Sequence, residues 1–412
     1  MSFYTNAIHT VQINPTSNST NFRTEFRLNA PNAVYLTNIR ICNIGVTTTT
    51  GPHPINSLGG LSSVIRNLTL YDGNVVLDQI LNYNIWSAFN SYNKTNDDNI
   101  SLYTDLTKNN LAFLTKGSEE TTEIVKLTGR DPEATNDIDT TPKAWISLKD
   151  VLAFLDQSQN LPTAIYKDLR LVIEYETDIT KIFPLSRDGR NTIEPFLVVD
   201  ELTNPEVVES IVKNYNGVIF QPVEHTRVVV PALNPVTADK NIKQNVTFSI
   251  NSYNNKTLNR LLVCKTGSTN VSDQYGKLGS EHQYNESVQV NVNGANLMTG
   301  NGLTTDQERS AMLYDLWGDA VALCPSGGVG DNSNMIENAE AVAGRTDYTS
   351  VLVQNFVNDF QYSFGRTSQY KDGVADNLQK NERYNQMLQL NMFGEVNKAV
   401  VINNGDYSIR YL

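Results

Sequence analysis

An internal repeat constrains this chain more than any other feature. Shifting the sequence by 222 positions lays residues 21–45 on residues 243–267 without a gap. Phe26 meets Phe248, Asn29 meets Asn251, Asn32 meets Asn254, Leu36 meets Leu258, Cys42 meets Cys264 and Gly45 meets Gly267, while Leu28 and Ile250 agree in type. The matches are spread evenly over two strand-turn-strand units, as duplication of a supersecondary unit produces. Downstream in both halves comes a turn pair, Asp72-Gly73 or Asn293-Gly294, then an apolar helix-like run with a tryptophan, Trp86 or Trp317. The turn pair falls one residue out of register, since 293 − 72 = 221. At 412 residues the chain is too long for one ordinary domain, and the repeat implies two related units of about 200 residues each.

The repeated segments read as β. Apolar residues alternate with polar ones along Phe22–Phe26–Leu28, Leu169–Leu171–Ile173–Tyr175, Val246–Phe248–Ile250, Val288–Val290–Val292 and Tyr407–Ile409–Tyr411. One apolar and one wet face per strand is what antiparallel sandwich strands require. Asp72-Gly73, Asn293-Gly294 and Asn404-Gly405 supply the positive φ angles of tight hairpins. Long polar excursions at 47–58, 116–142 and 325–345 suit an interaction surface. Helices are few. Ser147 with Asp150 forms a capping-box pattern before Val151, Leu152 and Leu155, and Thr305 with Glu308 forms another before Met312 and Leu316. A third starts at Asn204 as N-cap with Pro205 at the first helical position and stops at Asn216-Gly217. The expected organisation is a first jelly roll over 1–203, a linking helix over 204–217 and a second jelly roll over 218–412.

Chemistry is sparse. The four histidines, His9, His53, His225 and His282, share no metal-ligand spacing, which argues against a duplicated cupin. His53 and His225 read as loop and strand-flanking residues. Cys42, Cys264 and Cys324 are odd in number and form no C-x-x-C pair, which favours a reducing compartment; the first two read as small buried hydrophobes. No G-x-S-x-G elbow is present, and Ser326-Gly327-Gly328-Val329-Gly330 lacks the Lys-Ser/Thr of a phosphate loop. Carboxylates at Asp97-Asp98 and at Asp131, Glu133, Asp137 and Asp139 fit no EF-hand spacing and read as solvated loops. The triplets at Asn67, Asn245 and Asn255 match the N-glycosylation pattern at the frequency an Asn- and Thr-rich chain produces. With a net charge of −12 the chain has no excess positive charge for phosphates or anionic lipid. No signal peptide or membrane-spanning apolar run is read from the sequence. No catalytic, cofactor-binding or metal residue is therefore nominated, and no cofactor or small-molecule substrate is expected.

In pattern and order, nearly the whole chain resembles the double jelly-roll major capsid proteins of the adenovirus-like lineage, most closely those of polinton-like viruses and virophages. The resemblance rests on Leu68-Thr69-Leu70-Tyr71-Asp72-Gly73-Asn74 and the aromatic run Tyr83 to Tyr92. It rests too on Leu161-Pro162 leading into Leu169 to Glu176, on Pro195 to Glu201, and on the Ile402-Asn403-Asn404-Gly405 hairpin. It implies an all-β fold of two tandem jelly rolls and a homotrimer of six barrels forming a pseudo-hexagonal capsomer of an icosahedral shell. It further implies penton and minor capsid proteins as partners and location in the virion. Two other classes stay open on the residues alone. One is a carbohydrate-active or amidase-type enzyme with a carboxylate pair on a double β-sandwich. The other is a lectin or adhesion module, which would normally carry a signal peptide and often disulfides.

Overall fold

The structure, a computed structural model, describes residues 8–19, 22–45, 60–87, 143–182, 194–232, 243–267, 286–298, 302–304, 308, 311–312, 315–316, 348–367, 387–403 and 406–412. The three long excursions lie outside these residues. So do Cys324, Trp317, His53, His282, Thr305, the two acidic runs, the glycine-rich run and the Asn404-Gly405 turn. The described residues form two compact units. One holds those up to 224 together with those of 397–412, and the other holds those of 225–396. The units thus do not follow chain order: the last strands group with the first barrel.

The first barrel contains β1 (Ile8–Ile13), β2 (Ser17–Ser19), β3 (Arg23–Leu28), β4 (Val34–Leu36), β5 (Arg40–Gly45), β6 (Ile65–Asp72), β7 (Val75–Leu81), β8 (Lys143–Ser147), β9 (Asn160–Pro162), β10 (Leu169–Tyr175) and β11 (Phe196–Leu202). One sheet runs β8-β5-β11-β4-β9 with β1 also on β11, and the other runs β2-β3-β10-β6-β7. The chain crosses from one sheet to the other at β3–β4, β5–β6, β7–β8, β9–β10 and β10–β11, as a jelly roll does. Helix α1 (Ala153–Gln157) precedes β9. Helix α2 (Pro205–Asn214) follows β11 and leads to β12 (Gly217–Phe220). The second barrel comprises β13 (Val223–Val230), β14 (Lys243–Ser249), β15 (Lys256–Gly267), β16 (Glu286–Val292), β17 (Ala295–Asn296), β18 (Tyr348–Val357), β19 (Phe360–Thr367) and β20 (Leu388–Val396). Its sheets run β13-β20-β15-β18 and β14-β19-β16-β17. Finally, β21 (Lys398–Asn403) and β22 (Asp406–Tyr411) form a hairpin that pairs with β12.

The strand order of the two barrels is the same once β4 and β5 together are matched with β15 and β8 and β9 together with β18, β2 having no counterpart among the described residues. The 222-residue repeat is their shared strand-turn-strand unit. Phe26 on β3 lies opposite Leu171 on β10, and Phe248 on β14 lies opposite Tyr362 on β19. Cys42 faces Phe196 on β11, and Cys264 faces Asn391 on β20. The first barrel interrupts this long strand between β4 and β5, at Thr37–Ile39, and the second bulges between Leu258 and Arg260. Subtracting 222 from Asn259 gives Thr37, so both breaks fall at one place in the repeat.

The turn pair is displaced for a physical reason. The two-residue loops are Gly73-Asn74 and Asn293-Gly294, flanked by the pairs Asp72↔Val75 and Val292↔Ala295. Gly73 adopts φ +58°, while Asn293 and Gly294 adopt +52° and +82°. In each barrel the first loop residue donates its backbone N–H to an aspartate carbonyl, Gly73 to Asp168 and Asn293 to Asp359. The side chain that takes the N–H of that same aspartate is Asp72 in one case and Asn293 in the other. One hydrogen-bonding job has moved by one residue, and a search for like residues slips with it.

Most inward faces follow the expected alternation. Leu169, Leu171, Ile173 and Tyr175 are buried, as are Val288, Val290 and Val292. Three expectations need correction. Phe22 precedes β3 and is 64% exposed; the inward position is Thr24, whose hydroxyl lies 2.7 Å from that of Tyr175 and donates to Asn18. Phe248 is only half buried, whereas Phe26 is fully buried. β14 is the outermost strand of its sheet, while β2 covers the free side of β3. The Ser147 capping box does not form: Ser147 precedes a 3₁₀ turn, Leu148–Asp150, and its side chain makes no cap bond. Helix α2 starts as its sequence prescribes, with the Asn204 side chain accepting from the N–H groups of Glu206 and Val207. At Thr304, next to the expected cap at 305, the backbone N–H donates to Glu308.

Phe26→Ala is expected to destabilise the first barrel by about 3–5 kcal/mol, the usual loss on emptying a core aromatic site. Phe248→Ala should cost the second barrel about half as much, because less contact area is lost. Residue-resolved hydrogen exchange on each variant reads the two barrels separately, and equal losses would contradict the edge-strand account.

Candidate functional site

Residues weighed for chemistry in the sequence are placed apart. His9 lies exposed on β1. His225 is in β13, part-buried, 3.2 Å from the Asn391 side chain, with its ring centroid 4.8 Å from that of Phe393. Burial pushes its pKa down to about 4, so the imidazole is neutral at ordinary pH. Cys264 is buried and Cys42 half buried, and burial pushes the Cys42 thiol up, away from the reactive thiolate. Among the described residues no three His, Cys, Asp or Glu side chains group as a metal site. No described helix is long and apolar enough to cross a membrane.

What the fold does build, twice, is a polar clamp at the break in the repeated long strand. In the first barrel Asp200 on β11 accepts from the Asn38 side-chain amide at 2.5 Å and from the Thr10 hydroxyl on β1 at 2.6 Å. These two bonds hold the carboxyl below the usual carboxylate range. In the second barrel Glu395 on β20 pairs with Arg260, which donates to both its oxygens, the longer bond being 2.9 Å. Arg260 also donates to the Leu316 carbonyl. The 222 offset carries Asn38 to Arg260. The offset that relates β11 to β20, 391 − 196 = 195 from the two cysteine pairings, carries Asp200 to Glu395. Each break exposes backbone that a ladder would have satisfied, and a carboxylate from the neighbouring strand ties its flank down. Burial raises the Glu395 pKa and Arg260 opposes that shift.

A second buried carboxylate serves the first barrel alone. Asp78 on β7 is 2% exposed, and its two oxygens accept from the backbone N–H groups of Gln79 at 2.8 Å and Phe154 at 2.9 Å. It caps α1 from another strand, which explains why Ser147 is not needed for that task. Burial lifts its pKa to about 6 against the pull of these N–H groups and of Lys398. Each of these carboxylates is engaged by hydrogen bonds within its own unit. No motif marks them in the sequence; only the pairing register shows that Asn38 and Arg260, or Asp200 and Glu395, correspond.

No family model matches the chain, and no curated protein matches it in sequence. Solved structures do match. The VP54 protein of the virus PBCV-1, fitted into a reconstruction of the virophage Sputnik, aligns at TM-score 0.58 and 11% identity over 98% of this chain and 97% of that one. The PBCV-1 virus capsid aligns at TM-score 0.55 and 11% identity, covering 98% and 97%. The structure of the Sputnik virophage gives TM-score 0.55 and 12% identity over 98% of this chain and 88% of that one. These neighbours are double jelly-roll major capsid proteins. The chain has their fold. At such identities the likeness lies in the path of the chain, and it extends over both barrels.

Three variants test the clamps and the cap. Arg260→Ala should destabilise the second barrel by about 3–5 kcal/mol by leaving Glu395 buried without its partner. Asn38→Ala should cost about 1 kcal/mol, because Asp200 keeps Thr10; chemical denaturation measures both. For Asp78 the folded pKa of about 6 exceeds the ordinary 3.8. Its contribution to stability is therefore fully present below pH 3.8 and is lost as pH rises through 6. The gap in stability between the wild type and Asp78→Asn, measured from pH 4 to 7, should change by up to about 3 kcal/mol. A flat difference would show that Asp78 is not a buried acid.

Proposed function

We propose that this chain is a major capsid protein, a non-enzymatic building block whose homotrimers form pseudo-hexagonal capsomers of an icosahedral viral shell. The observation that carries the reading is the pair of like-ordered jelly rolls in one chain, matched along 98% of its length by the fold of VP54. Two similar barrels per chain give a three-fold object a nearly six-fold outline, so one chain type can sit in several lattice environments. Its partners are then copies of itself, neighbouring capsomers, and penton and minor capsid proteins. Its place is the virion. Specific binding of nucleic acid or of a small-molecule substrate forms no part of the reading, in keeping with the net charge of −12. Carboxylates held by partners from neighbouring strands and a helix suit this role, since they fix geometry.

The expected state in solution is a stable trimer of three 45.9 kDa chains, about 140 kDa, with obligate interfaces of the large apolar kind. Size exclusion coupled to light scattering measures it. A clean monomer at micromolar concentration would overturn the capsomer reading.

A further inference from the structure

The chain leaves the first unit after β12, builds the second barrel, and returns to the first unit with β21 and β22. We infer that residues 397–412 act as a closing strap, which docks on β12, whose Phe220 packs on α1, and opens and closes with that corner of the first unit as one cooperative element.

The docking is specific. β12 pairs with β21 from Gly217↔Val401 to Phe220↔Lys398, and β21 pairs with β22 along its length. Lys398, Ala399 and Val400 are buried, as is Phe220 opposite them. Phe220 stands edge-on to Phe154 of α1, with centroids 5.4 Å apart, and Phe154 stands edge-on to Tyr166 at 5.8 Å. Tyr407 of the strap lies 5.2 Å from the Tyr166 ring and donates its hydroxyl to Asp72 at 2.9 Å. That aspartate holds the β6–β7 turn to Asp168. Tyr411 donates to Glu224 at 2.7 Å, and Gln221 donates to Asn397 at 3.2 Å. The fit is also tight in backbone terms. Gly217 has φ +85°, and a Cβ there would stand 2.0 Å from the Val400 carbonyl oxygen. Only glycine lets β12 and β21 meet at this point.

Three consequences follow from position in the chain. The first unit cannot be completed until residues 225–396 have been synthesised. The aromatic corner of Phe154, Tyr166 and Phe220 stays uncovered by the strap until then. A chain stopped before 397 therefore presents an unfinished first unit, whatever the state of its second barrel.

Hydrogen exchange on the full-length protein tests the strap, with Gly217→Ala as the variant. Exchange should accelerate at least tenfold across 217–220, 153–157 and 398–411 together, while the central second-barrel strand β20 keeps its wild-type rates. Unchanged rates at 153–157 would overturn the proposal, and so would equal acceleration in β20. If Gly217→Ala yields no folded protein, Tyr407→Phe decides, because it removes one hydrogen bond and keeps the ring. A few-fold acceleration confined to the strap and α1 supports the strap, and acceleration absent or spread over both units refutes it.

Discussion

Strand register is the constraint on which both barrels depend. Side chains alternate across a sheet with a period of two, so a slip of one residue would turn every inward group outward. Leu171 sits between Phe26 on one neighbour and Leu70 on the other, and Tyr362 sits between Phe248 and Val290. These rows of three are the same row in two barrels. What pins them lies at the ends: the aspartates Asp168 and Asp359, each bonded to the first residue of a two-residue turn. Their side chains are steadied two residues on, by Arg170 at 3.5 Å in one barrel and by Gln361 at 3.1 Å in the other. Turn, register and core thus specify one another.

That mutual dependence explains what could be read from the sequence. The strand-turn-strand unit was legible because it has the same length in both halves and keeps Phe26/Phe248, Leu36/Leu258 and Cys42/Cys264 in place. The neighbouring strands repeat too, yet Leu70/Val290, Leu171/Tyr362 and Arg170/Gln361 preserve only size or hydrogen-bonding capacity. Their spacing also differs, because the connections between strands differ in length. The clamp pairs were invisible for the same reason, since an Asn–Asp pair and an Arg–Glu pair share geometry and not identity. Asp78 was missed because a cap supplied by a distant strand leaves no local pattern, whereas Asn204-Pro205 caps its own helix and could be read directly.

The buried and half-buried polar groups divide by what they resist. Asn38–Asp200 and Arg260–Glu395 hold down a broken strand, where two backbones would otherwise fray. Arg366, nearly buried, donates to Gln244 and to the Pro231 carbonyl, tying β19 to β14 and to the end of β13. Each costs desolvation and is worth keeping only if geometry matters more than maximal stability.

Duplicated order does not mean duplicated surface. In the first barrel, Val207, Val208, Ile211 and Val212 of α2 pack on Val34, Leu36 and Leu202 of strands β4 and β11. In the second barrel the last strand of the corresponding sheet is β18, where Leu352 and Phe356 are 43% and 49% exposed. In the opposite sheets β2 covers β3, whereas no strand covers β14 among the described residues. Exposed apolar edge strands invite pairing with another chain, and monomeric proteins usually blunt them. Here β3 is covered by a further strand, while among the described residues β14 and the outer side of β18 are not, so the second barrel holds the edges at which another chain could add a strand.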